Sequence, residues 1–291
     1  MRRWREIFAA RTRRGRAAAA ARAGPDAAGV RSGSGVSKKT GAGAGGEGQE
    51  PGDGAERGGG EARPGSGGGW ARGRFALRRA RPQGPIAAHR HPMKLSPLTL
   101  TGRTVRLEPL AAGHHAALER CGAEAEVWRW TGFLHADPRE SVRGWCATLG
   151  AMQARGEAVA FAIVEVASGE AVGGTTLFDY SAANRRVEIG YTWLARSAWR
   201  TAVNTEAKAL LLGHAFETVG CGRVQLKTDA RNERSQAAIA RIGAVREGVL
   251  RSHLVMPDGF VRDSVMFSVV AGEWPGVKER LRQLMNRGSA A

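Results

Sequence analysis

Hydrophobic and polar positions fall into a readable pattern from residue 103 onward. Over residues 103–110, Val105 and Leu107 alternate with Arg106 and Glu108, as on a half-buried strand. Short helices are predicted over 114–121 and 124–133, the second carrying Trp128, Trp130 and Phe133. Asp137-Pro138 opens a longer helix to about Arg155, with Asp137 as N-cap and Pro138 in the first turn, where its missing N–H has no partner to lose. Residues 159–166 are apolar at both parities, the mark of a strand covered on both faces. Ser168-Gly169 turns the chain into a further strand over 171–180, and 187–194 is the next. Residues 195–203 form a loop. From Asn204 apolar residues recur at Ala207, Leu210, Leu211, Ala215 and Val219, a helix that Asn204 and Thr205 can cap and Gly220 can stop. A strand over 223–229 and a helix over 232–242, ended by Gly243, come next. Strands over 245–255 and 260–270 meet at Pro257-Asp258-Gly259, where Pro fixes φ and Gly supplies a positive one. A helix over 273–287 closes the chain. This order predicts one α/β domain, a mixed sheet with helices on both faces.

Composition divides the 291 residues in two. Residues 1–92 hold 21 of the 41 glycines and 19 basic against 7 acidic residues, so most of the net +17 belongs to this leader. It lacks a sustained hydrophobic period, and 41–60 is nearly all Gly, Ala, Glu and Gln, a composition that cannot bury a core and predicts disorder. A literal G-x-G-x-x-G at Gly41, Gly43 and Gly46 has no strand before it and no helix after it, so it is not a dinucleotide loop. Arg13-Arg14 with the alanines that follow makes a segment too short and weak for an export signal. The leader is expected to be a solvated tail, or an upstream extension before a start at Met93. Residues 93–291 suffice for one domain with a real core. Cys121, Cys146 and Cys221 are odd in number and widely spaced, which argues against a disulfide framework or a zinc site and fits a reducing cytoplasm. No apolar run approaches a membrane span.

The strand at 187–194 feeds a helix through a short loop. Such a joint aims unpaired backbone N–H groups and the positive end of the helix dipole at whatever lies above it, which makes it a natural anion site. No H-E-x-x-H, Walker loop or G-x-S-x-G occurs, so the chain shows no sign of metal, nucleotide-hydrolysing or serine-hydrolase chemistry.

Six motifs, in order, carry a family resemblance: E-I-G-Y from Glu188, N-T-E-A-K from Asn204, R-V-Q-L-K-T-D-A-R-N-E-R-S from Arg223, I-G-A from Ile242, P-D-G-F-V-R-D from Pro257, and Glu273-Trp274. Residues 93–274 resemble the GNAT superfamily of acyl-CoA N-acyltransferases, specifically its ribosomal-protein N-acetyltransferase (RimJ/RimL-like) branch. The resemblance implies a mostly antiparallel mixed sheet splayed at its centre, between the strands at 187–194 and 223–229, with acetyl-CoA as co-substrate lying in the gap. It also implies that backbone groups around Trp193 and Leu194 bind the pantetheine arm, and that the following loop cradles the pyrophosphate. That loop usually reads Arg/Gln-x-x-Gly-x-Gly/Ala. Here the window is Trp199, Arg200, Thr201, Ala202, Val203 and Asn204, so Trp replaces the first residue and Ala202 stands where Gly would allow the closest phosphate approach. Arg196 and Arg200 can compensate by direct phosphate contact, and Thr201, Asn204 and Thr205 by hydrogen bonds around the helix start.

The chemistry asks that an ammonium acceptor lose a proton, that the oxyanion be stabilised, and that the thiolate be protonated. Glu188 is the candidate base, directly or through a water; its bland alternative is a strand carboxylate paired with Arg185, Arg186 or Lys227. By the resemblance, Ser235 is the thiol's proton donor and Asn232 holds the pantetheine arm; both also suit a helix cap. The tyrosine that many relatives carry later on that helix is missing, since the chain has only Tyr180 and Tyr191. His214 is expected to be a packing residue. Trp128, Trp130 and Phe133 either wall the acceptor pocket or pack in the core. The expected function is acetyl transfer from acetyl-CoA to a primary amine, on a small molecule or a protein N-terminus, by direct attack and with no metal. Its expected partners include no membrane, and nucleic acid only through the basic leader; the protein is a monomer or homodimer. The rival is a non-catalytic acyl-CoA-binding or interaction module with a degenerate phosphate loop.

Overall fold

The computed structural model describes residues 95–287. The predicted leader and the start at Met93 lie outside the described residues. Among these, eight strands form one sheet in the order β1-β2-β3-β4-β5-β6-β8-β7. The strands are β1 (Leu100–Thr101), β2 (Val105–Pro109), β3 (Ala158–Glu165), β4 (Ala171–Ser181), β5 (Arg186–Leu194), β6 (Arg223–Asp229), β7 (Val245–Val255) and β8 (Val261–Val270). Neighbours are antiparallel except β5 and β6, which run parallel. The helices are α1 (His115–Cys121), α2 (Ala125–Trp128), α3 (Pro138–Ala154), α4 (Val203–Gly213), α5 (Glu233–Arg241) and α6 (Trp274–Arg287).

Each face of the sheet buries its own core. On one face Phe161, Ile163, Leu177, Val187, Ile189, Val224, Leu226 and Phe267 meet Leu211 and Leu212 of α4 and Trp274 and Leu281 of α6. On the other, β3 offers Ala158, Ala160 and Ala162 to α3, which brings Leu149 and Trp145. The small residues let the helix approach closely, and a Cβ at Gly174 would run into the Trp145 ring. This is why residues 159–166 read as apolar at both parities.

The parallel β5–β6 ladder is short. It pairs Arg186 with Arg223, Val187 with Val224 and Glu188 with Gln225, and then stops. Beyond that point each strand stays with its outer neighbour. β6 pairs along its whole length with β8, from Arg223↔Val270 to Asp229↔Ser264. β5 is drawn toward β4 and α3. A bulge sets Tyr191 and Thr192 opposite Thr175, with Tyr191 at φ 51°. The Trp145 indole N–H donates to the Tyr191 carbonyl at 2.8 Å, and Trp193 packs against Trp128 and Trp145 with ring centroids 4.7 and 5.9 Å away. The two strands therefore diverge, as expected of the 187–194 and 223–229 pair.

Two local expectations need correction. The helix expected over 124–133 ends at Trp128, because the Trp128 carbonyl accepts both the backbone N–H and the hydroxyl of Thr131 and closes a turn. α4 is capped by Ala202 rather than by Asn204 or Thr205, which lie inside its first turn. Asp137 does cap α3, accepting the Arg139 N–H at 2.9 Å, and Asn232 caps α5, accepting the Ser235 N–H at 3.0 Å.

N-T-E-A-K has a structural role at Glu206. Its buried carboxylate accepts the backbone N–H groups of Arg103, Thr104 and Val105, tying the β1–β2 turn to α4. Glu206→Ala should leave these donors without a partner and destabilise the domain by about 3 kcal/mol, a fall in Tm of roughly 6–12 °C. A Tm within about 2 °C of wild type would show that water replaces the carboxylate.

Candidate active site

Glu188 marks the point where the β5–β6 ladder ends. Its side chain is 2 % exposed, and its carboxylate accepts from Lys227 Nζ at 2.6 Å and Gln225 Nε2 at 2.9 Å. Both partners project from β6, so the trio spans the strands at the mouth of the gap. Lys227 Nζ also lies 5.1 Å from the centre of the Phe178 ring. Of the partners considered for Glu188, Lys227 is the one in place. Tyr191 packs beside this group between Phe178 and Phe133, and burial together with the Glu188 charge raises its phenol above the usual range.

The loop after β5 explains the unusual tryptophan. The Trp199 indole N–H donates to the Leu194 carbonyl at 2.9 Å, while its ring lies against the Arg234 guanidinium at 3.4 Å and Arg196 at 5.7 Å. That carbonyl, expected to meet the pantetheine, thus already has one donor. Trp193 is buried in the α3-side core, its Nε1 without a partner among the described residues, and its backbone pairs with Gly174. Arg200 takes a left-handed φ of 63°, and the Thr201 hydroxyl donates to the Ala198 carbonyl and accepts the Val203 N–H. Among the described residues no Ala202 side-chain bond caps α4, so beyond the Val203 N–H that Thr201 holds, its first turn keeps the dipole and amides of a helix start. The Thr205 hydroxyl is taken by Arg241 at 2.8 Å, leaving its backbone amide. Burial lowers the Arg234 guanidinium pKa; Glu126 opposes this and the charges of Arg196 and Arg200 add to it. Arg234 and Arg196 thus share the Trp199 ring within reach of the Arg200 charge, and Arg196 also pairs with Glu124 at 3.4 Å. Sequence reasoning missed Arg234, although R-N-E-R places it in the first turn of α5, beside the candidates Asn232 and Ser235. Ser235 is half-buried on that turn.

The aromatic candidates divide. Trp128 and Phe133 belong to the core, whereas Trp130 is partly exposed and lies 4.8 Å from the Arg231 guanidinium. His214 is buried and its pKa is lowered by that burial, which suits packing. The three cysteines are free, and burial pushes their thiols up, to about 12 for Cys121 and about 11 for Cys146 and Cys221. None is poised as a nucleophile.

Lys208 carries a signal that the helical pattern hid. It lies in α4 beneath the β5 bulge, 6 % exposed, and its Nζ donates to Thr192 Oγ1 at 2.8 Å; that hydroxyl pairs in turn with Thr175 at 2.8 Å. Burial lowers its pKa to about 7. The folded value lies below the unfolded one of about 10.4, so burying the charge costs stability in full below about pH 7. The cost fades as pH rises from about 7 to 10. Lys208→Met should therefore raise Tm at about pH 6, by roughly 5–10 °C for a few kcal/mol, with a gain that shrinks toward about pH 10. Paired melts across that range test it; a loss of Tm at the acid end would refute it.

The comparisons with known proteins agree with this geometry. Residues 104–245 match the acetyltransferase (GNAT) domain family. The "Putative ribosomal N-acetyltransferase YdaF" of Bacillus subtilis is 34% identical over 110 residues, which is 38% of this chain and 59% of that protein. A solved "putative acetyltransferase" from T. thermophilus is 41% identical with a TM-score of 0.60, covering 66% of this chain and 100% of that one. Mycobacterium smegmatis RimJ, solved in complex with CoA-disulfide, is 29% identical with a TM-score of 0.55, covering 66% of this chain and 95% of that one. The chain belongs to the GNAT acetyltransferase family, on its RimJ-like side.

Proposed function

We propose that this GNAT-family chain transfers an acetyl group from acetyl-CoA to a primary amine by direct attack, in the gap between β5 and β6. The observation that carries this reading is the end of the ladder at Glu188↔Gln225, which leaves a slot between two strands held apart by their outer neighbours. The residues around the slot suit acyl-CoA. The open start of α4, with Arg196, Arg200 and Arg234, offers the charge a pyrophosphate needs, and the side chains of Trp199 and Thr201 fix the loop between. Ala202, Val203, Asn204 and Thr205 contribute backbone. Trp193, Leu194 and Asn232 flank the path of the pantetheine arm.

Acetyl-CoA supplies the acyl group already activated as a thioester. Glu188 binds the incoming ammonium in exchange for Lys227 and takes one of its protons, directly or through water. The amine nitrogen then forms the new C–N bond as the C–S bond breaks. Ser235 gives its hydroxyl proton to the leaving sulfur and takes in its place the second proton that the nitrogen sheds, so that amide and free thiol form and Glu188 keeps the one proton released. The acceptor is a small amine or a protein N-terminus. The name of the B. subtilis relative favours a protein.

A second reading, an acyl-CoA-binding module without turnover, is favoured by one fact: the Leu194 carbonyl and Glu188 already have partners, in Trp199 and Lys227. Variants separate the two. Glu188→Gln should lower kcat by about a hundredfold or more, while acetyl-CoA at a hundredfold excess over Kd still stabilises by about 2.7 kcal/mol. Arg234→Ala should weaken that binding. Binding without turnover on any amine would favour the module.

A further inference from the structure

The face of β6 and β8 turned away from α4 is polar. Arg223, Gln225, Lys227 and Asp229 share it on β6. Arg262, Ser264 and Ser268 share it on β8, with Met266 between the two serines. It continues from Glu188 across β6 to β8, beside the gap. Its carboxylates are committed. Glu188 holds Lys227 at 2.6 Å, Glu247 holds Arg223 through two contacts of 2.6 Å, and Asp229 holds Arg231 at 3.0 and 2.8 Å.

Among the described residues of this face, Arg262 is the cation with the least complete pairing. Arg262 is 8 % exposed and makes no side-chain hydrogen bond among the described residues; its Nε is buried without a partner, 3.9 Å from Asp229 Oδ2. Asp229 itself is already forked onto Arg231. His253 donates to or accepts from Ser264 Oγ at 3.0 Å, and burial with the Lys227 and Arg262 charges lowers its pKa, so it adds no charge near neutral pH. A guanidinium held out of water without a full partner is costly, and an anion bound to it offsets that cost. Aromatics lie beside this face. Arg231 lies over the Phe260 ring at 3.5 Å and the Trp130 ring at 4.8 Å, joining the β7–β8 turn to the segment after α2. Arg262 and Phe260 both belong to P-D-G-F-V-R-D, a motif that the acetyl-transfer machinery leaves without a role.

We propose that the acceptor amine carries a carboxylate and that Arg262 binds it, setting the acceptor's orientation toward Glu188. This rests on the acetyl-transfer reading above. The carboxylate belongs either to the amine-bearing residue itself, as in a free amino acid, or to an acidic side chain next to the amine of a peptide. Planar, two-pronged recognition of a carboxylate is what a guanidinium does best.

The test uses the full chain and two matched probe pairs, glycine against glycinamide and Ala-Glu-Gly-amide against Ala-Gln-Gly-amide. CoA release gives kcat and KM for wild type, Arg262→Gln and Arg262→Lys. Wild type should prefer the acid member of at least one pair by about tenfold or more in kcat/KM. Arg262→Gln should reduce that preference to within about twofold, through KM on the acid alone, and Arg262→Lys should keep part of it. The responding pair identifies the source of the carboxylate. Equal use of both members of both pairs by wild type, or a preference that survives Arg262→Gln, overturns the proposal. Binding is read separately, by thermal shift of the CoA-loaded protein with the acetylated form of each probe. Stabilisation by an acid form, absent with its amide and lost in Arg262→Gln, supports the site even if no probe is turned over, a result that would count against acetyl transfer instead. No stabilisation by either acid form, with no turnover, overturns the Arg262 assignment. Arg262→Gln removes a buried charge and should melt no lower than wild type; if it does, Arg262→Lys carries both readouts.

Discussion

The divergence of β5 from β6 is the constraint on which everything else depends. Two parallel strands at the centre of a sheet would ordinarily satisfy their backbone groups on each other. Here each is held more strongly on its outer side: β6 by an unbroken ladder to β8, β5 by its bulge, by the Trp145 bond to the Tyr191 carbonyl and by the Trp128–Trp145–Trp193 cluster. The gap is thus a product of packing on both flanks. It keeps polar backbone open beside a hydrophobic core, and a ligand that fills it satisfies what the strands leave unpaired.

That constraint arranges the charges. Glu188 sits where the ladder stops because it is the last β5 residue with a β6 partner. The same strand then leads, through a loop pinned by the Trp199 indole, to the open start of α4 and its guanidiniums. On the proposed reading, carboxylate and cationic cluster serve the two ends of one acyl donor, its thioester and its pyrophosphate. Lys208 belongs to the supporting structure beneath it, where it holds Thr192 in the bulge at a cost in stability.

Much of the fold was legible in the sequence because its punctuation is chemical. Asp137-Pro138, Ser168-Gly169, Pro257-Asp258-Gly259 and Gly243 each stop or start an element by a local rule, and strands announce themselves by alternation, as at 103–110, or by apolar residues at both parities, as at 159–166. What failed was also local. α2 ended early because the Thr131 hydroxyl competes for a helical carbonyl, and α4 is capped at Ala202, two residues before the expected Asn204. The site was legible in outline through E-I-G-Y and the following loop. Its charge pairing was legible only in part: Lys227 was among the partners read for Glu188, whereas Arg234 over Trp199 and Arg262 near Asp229 are brought into place by segments far apart in the chain. Lys208 was hidden for another reason: on a helical pattern a lysine reads as solvated, and only the packing of α4 on β5 puts it inside.

The most direct test of the central claim is hydrogen exchange of the full chain with and without acetyl-CoA. Binding in the gap should slow exchange in two places, the end of β5 from Gly190 to Leu194 and the first turn of α4 at Val203, Asn204 and Thr205. β7, on the far edge of the sheet, should be unchanged. Saturating acetyl-CoA that leaves both segments exchanging at their free rates would contradict the account, because the divergence of the strands would then not be where the acyl donor binds.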